Sequence, residues 1–272
     1  MRFVRWAYPK VEKIFPALAH RYFIHLFFTP FCYSVPEKDK EIERQAQQST
    51  LHSGGKKIQV YSWGTGPVIL VVHGWAGRAS QFRKFIPVFN QAGYRVVGFD
   101  GPAHGRSDGN QTNLIEFDTV LTQIIKTMGE PVAIVAHSFG GVASLFAIVN
   151  GLAVKKLINI SSPTIGDEII NTYLRAIQGS AATATAFKRY MMKTYQRSFD
   201  EFSALHFIKH VPSDLKLLLI HDDKDKEVTI DHVFELLKIY PSAGFIKTSG
   251  LGHTRILKDD TVINQCLGFI RS

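Results

Sequence analysis

Ser138 lies in the segment Val135-Ala136-His137-Ser138-Phe139-Gly140-Gly141, between an apolar run and a helix-like stretch. A nucleophile on a tight strand-to-helix turn adopts strained backbone angles, and small residues two positions before and after it avoid steric clashes. Ala136 and Gly140 occupy these two positions, with alanine at the first position of the pattern G-x-S-x-G. The segment predicts that the Ser138 hydroxyl projects over the edge of a sheet as a nucleophile. A serine that only caps an ordinary helix is the alternative.

A second motif, Val72-His73-Gly74-Trp75, ends the apolar run that begins at Val68. A glycine turn after a buried strand can aim backbone N–H groups at an oxygen that gains negative charge during a reaction. If this strand and the one before Ser138 are parallel, both end at the same edge of the sheet. We therefore expect the amides of Trp75 and Phe139 to form an oxyanion hole.

Three aspartates compete for the role of an acid that orients a catalytic histidine. Asp222, Asp223 and Asp225 follow the apolar run Leu215–His221. Such an acid stands on a loop at the sheet edge, where it stabilises the cationic histidine. Asp225 fits this position best and Asp222 is the second choice, while a solvated acidic turn remains the alternative.

The candidate base is His253, which lies in the loop Ser249-Gly250-Leu251-Gly252-His253-Thr254. The glycines allow this loop to carry the imidazole ring inward. His253 follows both the candidate serine and the candidate acid, so the chain order is Ser138, Asp225, His253.

Alternating strands and helices are expected to position these residues. The alternation predicts an α/β fold with a doubly wound, mostly parallel sheet, in which Lys57–Trp63 is an edge strand. It is interrupted after Ser161-Ser162-Pro163 by a stretch that indicates only helices, which predicts a helical cap. The predicted organisation is an N-terminal amphipathic helix with a linker (1–50), a core (51–163 and 213–272) and a cap (164–212).

Together the five strand-end segments, including Phe99-Asp100-Gly101-Pro102-Ala103-His104-Gly105-Arg106-Ser107, resemble the α/β-hydrolase fold family from about Lys56 to the C-terminus. Within this segment from Phe99 to Ser107, Asp100 and Arg106 are expected to pair. The variants of the motifs are most similar to those of bacterial carboxylesterases. The resemblance implies that Ser138 is the nucleophile, His253 the general base and then acid, and Asp225 its orienting carboxylate. In this family, epoxide hydrolases and haloalkane dehalogenases use an aspartate nucleophile, so a serine argues against that chemistry.

The expected reaction is hydrolysis of a carboxylic ester or thioester through an acyl-enzyme, and it calls for no metal and no organic cofactor. An apolar, methionine-containing cap suits an apolar acyl group, and Lys188, Arg189, Lys193 and Arg197 could attract a phosphate-bearing acyl donor. Two alternatives remain open: an acyltransferase or perhydrolase with the same triad, and a non-catalytic ligand-binding protein on this fold.

The N-terminal residues carry an amphipathic stripe from Ile14 to Phe27 and five Lys or Arg residues against Glu12 alone within residues 1–35. Such a stripe docks on its own protein or lies on a membrane surface, with its basic residues toward anionic headgroups. The apolar stretch is too interrupted for a secretory signal or a transmembrane helix.

The remaining composition favours a cytoplasmic globular protein. The formal charge is +9, from 32 Lys and Arg against 23 Asp and Glu, and most of the excess lies in residues 1–35 and 183–199. Local basic segments favour an anionic surface or substrate and argue against a nucleic-acid partner. Two distant cysteines, Cys32 and Cys266, predict neither a disulfide framework nor a zinc site.

Overall fold

The computed structural model describes residues 2–272, which form eight strands and twelve α-helices. The helices are α1 (Arg2–Ile14), α2 (Pro16–Phe28), α3 (Glu37–Arg44), α4 (Phe85–Gln91), α5 (Leu114–Met128), α6 (Phe139–Val149), α7 (Gly166–Ile177), α8 (Ala181–Tyr195), α9 (Ala204–Phe207), α10 (Asp231–Ile239), α11 (Gly252–Arg255) and α12 (Asp260–Arg271). The strands are β1 (Gln47–Ser53), β2 (Lys56–Trp63), β3 (Val68–Val72), β4 (Arg95–Phe99), β5 (Ala133–His137), β6 (Lys156–Ile160), β7 (Lys216–Asp222) and β8 (Gly244–Thr248).

All eight strands form one sheet in the order β1-β2-β4-β3-β5-β6-β7-β8. The six strands β3 to β8 are parallel to one another, and β2 pairs antiparallel with both β1 and β4. The parallel strands β3, β5 and β6 are short apolar runs because helices cover both faces of the sheet. The predicted α/β class with a doubly wound, mostly parallel sheet is confirmed.

The prediction that β2 is an edge strand is wrong. β1 pairs with β2 along its full length and is itself the edge. Its sequence, QQSTLHS, is polar and largely exposed, so it lacks the alternation by which a half-buried strand is identified. β1 also crosses the predicted boundary between residues 50 and 51.

Helix α5 shows how the local sequence fixes an element beside the site. The Asn113 side chain accepts a hydrogen bond from the Glu116 amide, which caps the first turn. Phe117, Val120, Leu121 and Ile124 are buried at helical spacing against the sheet. The helix therefore holds the loops after β3 and β4 from below, where Phe117 contacts His73 and His104.

The segment between β6 and β7 consists of helices alone: α7, α8, α9 and two 3-10 turns. We call residues 164–212 the helical insertion. It packs on α6, where the Phe146 ring lies 5.0 Å from the Phe207 ring.

The N-terminal residues form two helices, α1 and α2, which meet at Phe15 and Pro16; we call them the N-terminal pair. Proline at the first position of α2 removes an amide N–H that no helical carbonyl would accept. The pair docks on the insertion, where the Tyr8 hydroxyl bonds to Thr183 at 2.8 Å and Phe23 packs edge-on against Phe187. No helix within residues 2–272 is long and apolar enough to cross a membrane.

Candidate active site

Ser138 lies at the sharp turn between β5 and α6 with φ +52° and ψ −124°, a conformation that L-residues rarely adopt. The chain can turn there because Gly140 has no side chain: a Cβ at this position would lie 2.4 Å from the Val72 carbonyl oxygen. Gly74 allows an equally close approach, since its Cβ would lie 2.9 Å from the Ser138 Cβ. Strand β5, the turn and the loop after β3 therefore present the Ser138 hydroxyl at the carboxyl edge of the sheet.

The structure brings Ser138, His253 and Asp225 into one hydrogen-bonded chain. His253 Nδ1 lies 2.7 Å from Asp225 Oδ2, and His253 Nε2 lies 3.0 Å from Ser138 Oγ. An ionised carboxylate can only accept, so Nδ1 carries the proton and Nε2 accepts from the Ser138 hydroxyl. This arrangement can move a proton from the hydroxyl to the imidazole while the carboxylate stabilises the resulting cation.

The surroundings of Asp225 keep it ionised although it is buried. Burial alone would raise the pKa of this carboxyl, but the hydrogen bond and charge of His253 and the amides of Val228 and Glu227 lower it overall. Both amides donate to Oδ1, at 3.0 and 2.9 Å. Oδ2 is thereby left to His253.

Asp222 does not contact His253, and it anchors the loop that carries this histidine. Its carboxylate accepts hydrogen bonds from the Thr248 hydroxyl and from the amides of Leu251 and Lys224. Burial raises the pKa of Asp222, but the Gly252 amide together with these donors outweighs burial and lowers the pKa to about 2. Of the two candidate acids, the structure places Asp225 on the histidine.

The pattern G-x-S-x-G places no requirement on residue 137, yet His137 also positions the site. Its Nε2 donates to the backbone carbonyl of His253 at 2.8 Å, and the two rings lie 4.8 Å apart. Burial lowers the pKa of His137 to about 3, so the ring is neutral. Its position beside Ser138 is the only sequence signal for this contact, which joins residues 116 positions apart.

Trp75 and Phe139, the two residues predicted to form an oxyanion hole, lie close together after the ends of β3 and β5. Their rings pack edge to face with centroids 5.2 Å apart. Among the described residues, neither amide N–H has a backbone acceptor. Both amides are therefore available to donate to an oxygen beside Ser138.

Two buried histidines hold the loop that contains Trp75. The Ala76 amide donates to His104 Nε2 at 3.0 Å, and His104 Nδ1 donates to the Pro102 carbonyl. His73 joins the same loops, since its Nδ1 donates to Gly74 and its Nε2 accepts from the Gly101 amide. Burial lowers the pKa of His73 to about 4 and that of His104 to about 3, so both stay neutral.

Asp100 and Arg106 do pair, but through the Arg106 backbone amide and not through its guanidinium. Asp100 accepts from the backbone amides of Arg106 and Ala79, whereas the Arg106 guanidinium lies 2.8 Å from Glu43 on α3. Main-chain donors therefore fix the loop after β4. The charged side chain reaches out to the segment before the sheet.

A cavity of about 540 Å³ opens beside Ser138 and has a mostly apolar lining. The core, the helical insertion and the segment after α1 each supply part of its wall. The insertion supplies Glu168, Ile169, Thr172, Tyr173, Met191, Tyr195, Phe199 and Phe202 to the cavity lining, and Pro163 lies directly before it. The segment after α1 supplies Phe27, Phe28, Phe31 and Tyr33. None of the four basic residues of the insertion named above lines it.

His232 on α10 joins the insertion to the core at the edge of this cavity. Its Nδ1 accepts from the amides of Thr164 and Ile165 at the start of the insertion. The Thr164 hydroxyl in turn donates to the His232 carbonyl at 2.7 Å. An acceptor role requires a neutral ring, and burial lowers the pKa of His232 to about 4.

The alpha/beta hydrolase fold profile matches residues 67–257. The human serine hydrolase-like protein is 33% identical over 131 residues, which cover 43% of this chain and 64% of the human protein. Epoxide hydrolase 3 of Siraitia grosvenorii is 28% identical over 123 residues, covering 43% of this chain and 39% of its own length. The alignments therefore span less than two thirds of these relatives.

Solved structures with this fold align over most of the chain. A putative lipase from Acinetobacter baumannii has a TM-score of 0.67 and 16% identity, covering 89% of this chain and 98% of its own. The thioesterase domain from the curacin biosynthetic pathway has a TM-score of 0.61 and 20% identity, covering 84% of this chain and 99% of its own. At such identities the likeness shows the fold alone. With the profile match over most of its length, the chain belongs to the α/β hydrolase fold family.

Proposed function

We propose that the protein is a serine hydrolase that cleaves a carboxylic ester or thioester with an apolar acyl group. The observation that carries this proposal is the hydrogen-bonded chain from Asp225 through His253 to Ser138, placed at the edge of an apolar cavity. Each of the three groups has the partner that its role requires.

In the proposed reaction, His253 Nε2 takes the proton of Ser138 as Oγ attacks the substrate carbonyl carbon. The carbonyl oxygen becomes an oxyanion, which the amides of Trp75 and Phe139 stabilise. The protonated His253 then gives its proton to the leaving alcohol or thiol, and an acyl ester of Ser138 remains. Water, deprotonated by the same imidazole, attacks this ester, and Ser138 recovers its proton as the acid is released.

The cavity supports an apolar acyl group as the part of the substrate that is recognised. Aromatic and aliphatic side chains dominate its lining, and transfer of each methylene from water into such surroundings contributes about 0.8 kcal/mol. One of the structural neighbours is a thioesterase domain, and thioester hydrolysis is one of the two reactions proposed. One of the relatives is an epoxide hydrolase, but epoxide hydrolases of this family use an aspartate nucleophile, whereas residue 138 of this chain is a serine.

A fluorophosphonate probe tests the proposal directly. We expect the wild type to gain the mass of one probe and to hydrolyse p-nitrophenyl esters, and Ser138→Ala to lose both reactions. Ser144→Ala is the matched control, because this serine lies on α6, the helix that follows Ser138, and its hydroxyl donates to the Gly140 carbonyl. A folded wild type that neither binds the probe nor hydrolyses any ester would contradict the proposal and favour a ligand-binding role.

Product analysis separates hydrolysis from acyl transfer by the same triad. With an alcohol or hydrogen peroxide present, a hydrolase releases mainly the free acid. Predominant formation of a new ester or a peracid would instead assign the protein to the acyltransferases or perhydrolases.

A further inference from the structure

The N-terminal pair exposes five large apolar side chains, and among the described residues outside the pair only Tyr33, at 65%, is exposed to a similar extent. Phe3, Trp6, Ile14, Phe15 and Leu18 are each between 59% and 74% exposed. Beyond residue 35, the most exposed large apolar side chain among the described residues is Met192, at 48%. We call these five residues the N-terminal apolar surface.

This surface is the outer side of helices whose inner side is already docked. Tyr8, Ala19 and Phe23 are buried against the insertion. On α1, residues 3, 6 and 14 fall on one stripe at helical spacing, roughly opposite Tyr8. The outer apolar residues therefore do not contribute to the core, and the stripe predicted from the sequence divides into a docked face and a free one.

Basic side chains border the surface, and the acid of this region is turned away from it. Lys10, Lys13 and Arg21 are exposed beside the apolar residues. Glu12 accepts hydrogen bonds from the Ser180 amide and hydroxyl and from Thr183, and its side chain is only 10% exposed. The surface therefore combines apolar area with an uncompensated positive charge.

We propose that the N-terminal apolar surface docks the protein on an anionic lipid bilayer. Apolar side chains on one side of a helix enter the headgroup region, while Lys and Arg beside them meet anionic headgroups. Neither α1 nor α2 is long enough to span a bilayer, so the pair lies in the plane of the interface. A second copy of this chain fits less well, because pairing would bring two basic borders together.

Docking would also bring the cavity close to the lipid. Helix α2 carries Leu18 on the free surface and Phe27 and Phe28 in the cavity wall. A lipid-borne ester would then reach Ser138 without crossing bulk water. This consequence rests on the proposed function, whereas docking itself does not.

Sedimentation of the full chain with vesicles tests the docking, and Ser138→Ala is used so that turnover plays no part. We expect it to sediment with phosphatidylcholine vesicles that contain phosphatidylglycerol, and not with phosphatidylcholine alone. High salt should release it. Neutralising Lys10, Lys13 and Arg21 to glutamine should weaken binding about fivefold for each residue.

The apolar contribution is tested by Ile14→Ser, Phe15→Ser and Leu18→Ser in one variant, which should no longer sediment but keep its unfolding temperature. With Ser138 intact, the same three substitutions should leave ester hydrolysis in solution unchanged. Phe234→Ser with Ile239→Ser is the matched control, since these are exposed apolar residues of α10. Equal binding to both vesicle types, no binding to either, or a wild-type dimer that the serine variant abolishes would each overturn the proposal.

Discussion

Asp222 and Asp225 are three positions apart, yet the structure gives them different tasks. Asp225 lies on the loop beyond β7 and contacts the His253 ring, whereas Asp222 ends the strand and accepts donors from the loop that carries this ring. One carboxylate can therefore orient the imidazole directly. The other stabilises the backbone around it.

Asp225→Asn should lower kcat for ester hydrolysis by about 10⁴-fold while the protein stays folded. An amide NH₂ facing Nδ1 favours the tautomer with its proton on Nε2, which can no longer accept from Ser138. Steady-state kinetics and circular dichroism measure the two effects.

Asp222→Asn is the matched control, and it should lower the free energy of unfolding by about 1–3 kcal/mol through weakened buried hydrogen bonds. Its kcat should stay within about tenfold of the wild-type value. If Asp222→Asn abolished turnover and Asp225→Asn did not, the assignment of the acid would be reversed.

The sequence predicted which residues would meet at the site more fully than it predicted what holds them. Ser138, Asp225 and His253 follow from small neighbours, loop position and chain order, which are local signals. The hydrogen bonds of His137 to His253 and of His104 to Ala76 join distant segments, and their geometry depends on tertiary packing.

At the scale of elements, the buried parallel strands were predictable because both faces of the sheet are covered and their sequences are continuous apolar runs. β3, for example, begins at Val68 as predicted, and all its residues after Val68 are buried. Strand β1 was missed because its pairing with β2, not its own pattern, makes it a strand. The division of the N-terminal stripe was equally hidden, since both faces of these helices are apolar.

Two adjacent methionines of helix α8 allow a test of whether the cavity binds the acyl group. Met191 is buried and lines the cavity, whereas Met192 is half exposed and does not. Met191→Ala should shift the preferred p-nitrophenyl ester toward longer acyl chains, because each added methylene that fills the freed space contributes about 0.8 kcal/mol.

Relative kcat/KM values along an acyl-chain series measure this shift, and such ratios do not depend on the fraction of folded enzyme. Met192→Ala should leave the series unchanged. The same profile in both variants would place the acyl chain elsewhere.

At the scale of the molecule, the site is assembled from three parts of the chain. The sheet carries the Ser138, His253 and Asp225 chain, the helical insertion supplies most of the distant cavity wall, and α2 closes part of it with Phe27 and Phe28. Residues 2–66 lie outside the segment matched by the family profile. The segment that the profile matches therefore contains Ser138, Asp225 and His253, while part of the cavity wall comes from residues outside that segment.

The buried histidines of this assembly predict an acid-sensitive fold. Burial lowers the pKa values of His73, His104, His137 and His232 to between about 3 and 4, and it also lowers that of His221. Because the folded-state values lie below the unfolded value, about 6.5, the unfolded chain binds more protons as the pH falls below it. Stability is therefore full above about pH 6.5 and decreases toward pH 4, by up to about 1.4 kcal/mol per pH unit for each histidine. Burial raises the pKa of Asp100 and that of Asp118, and each of these two carboxyls opposes the trend by at most one proton.

Urea unfolding at a series of pH values measures this dependence, and the free energy of unfolding should decrease from about pH 6.5 downward, before most carboxylates titrate. His104→Gln keeps an acceptor for the Ala76 amide but removes one titrating group, so its pH slope should decrease by about one proton. His52→Gln, at an exposed position of β1, should leave the slope unchanged. A free energy of unfolding that stays constant between about pH 7 and pH 5 would mean that these histidines do not stay neutral in the folded protein. The bonds that His104 and His232 accept would then need another explanation, because a protonated imidazole has no acceptor to offer the Ala76 and Thr164 amides.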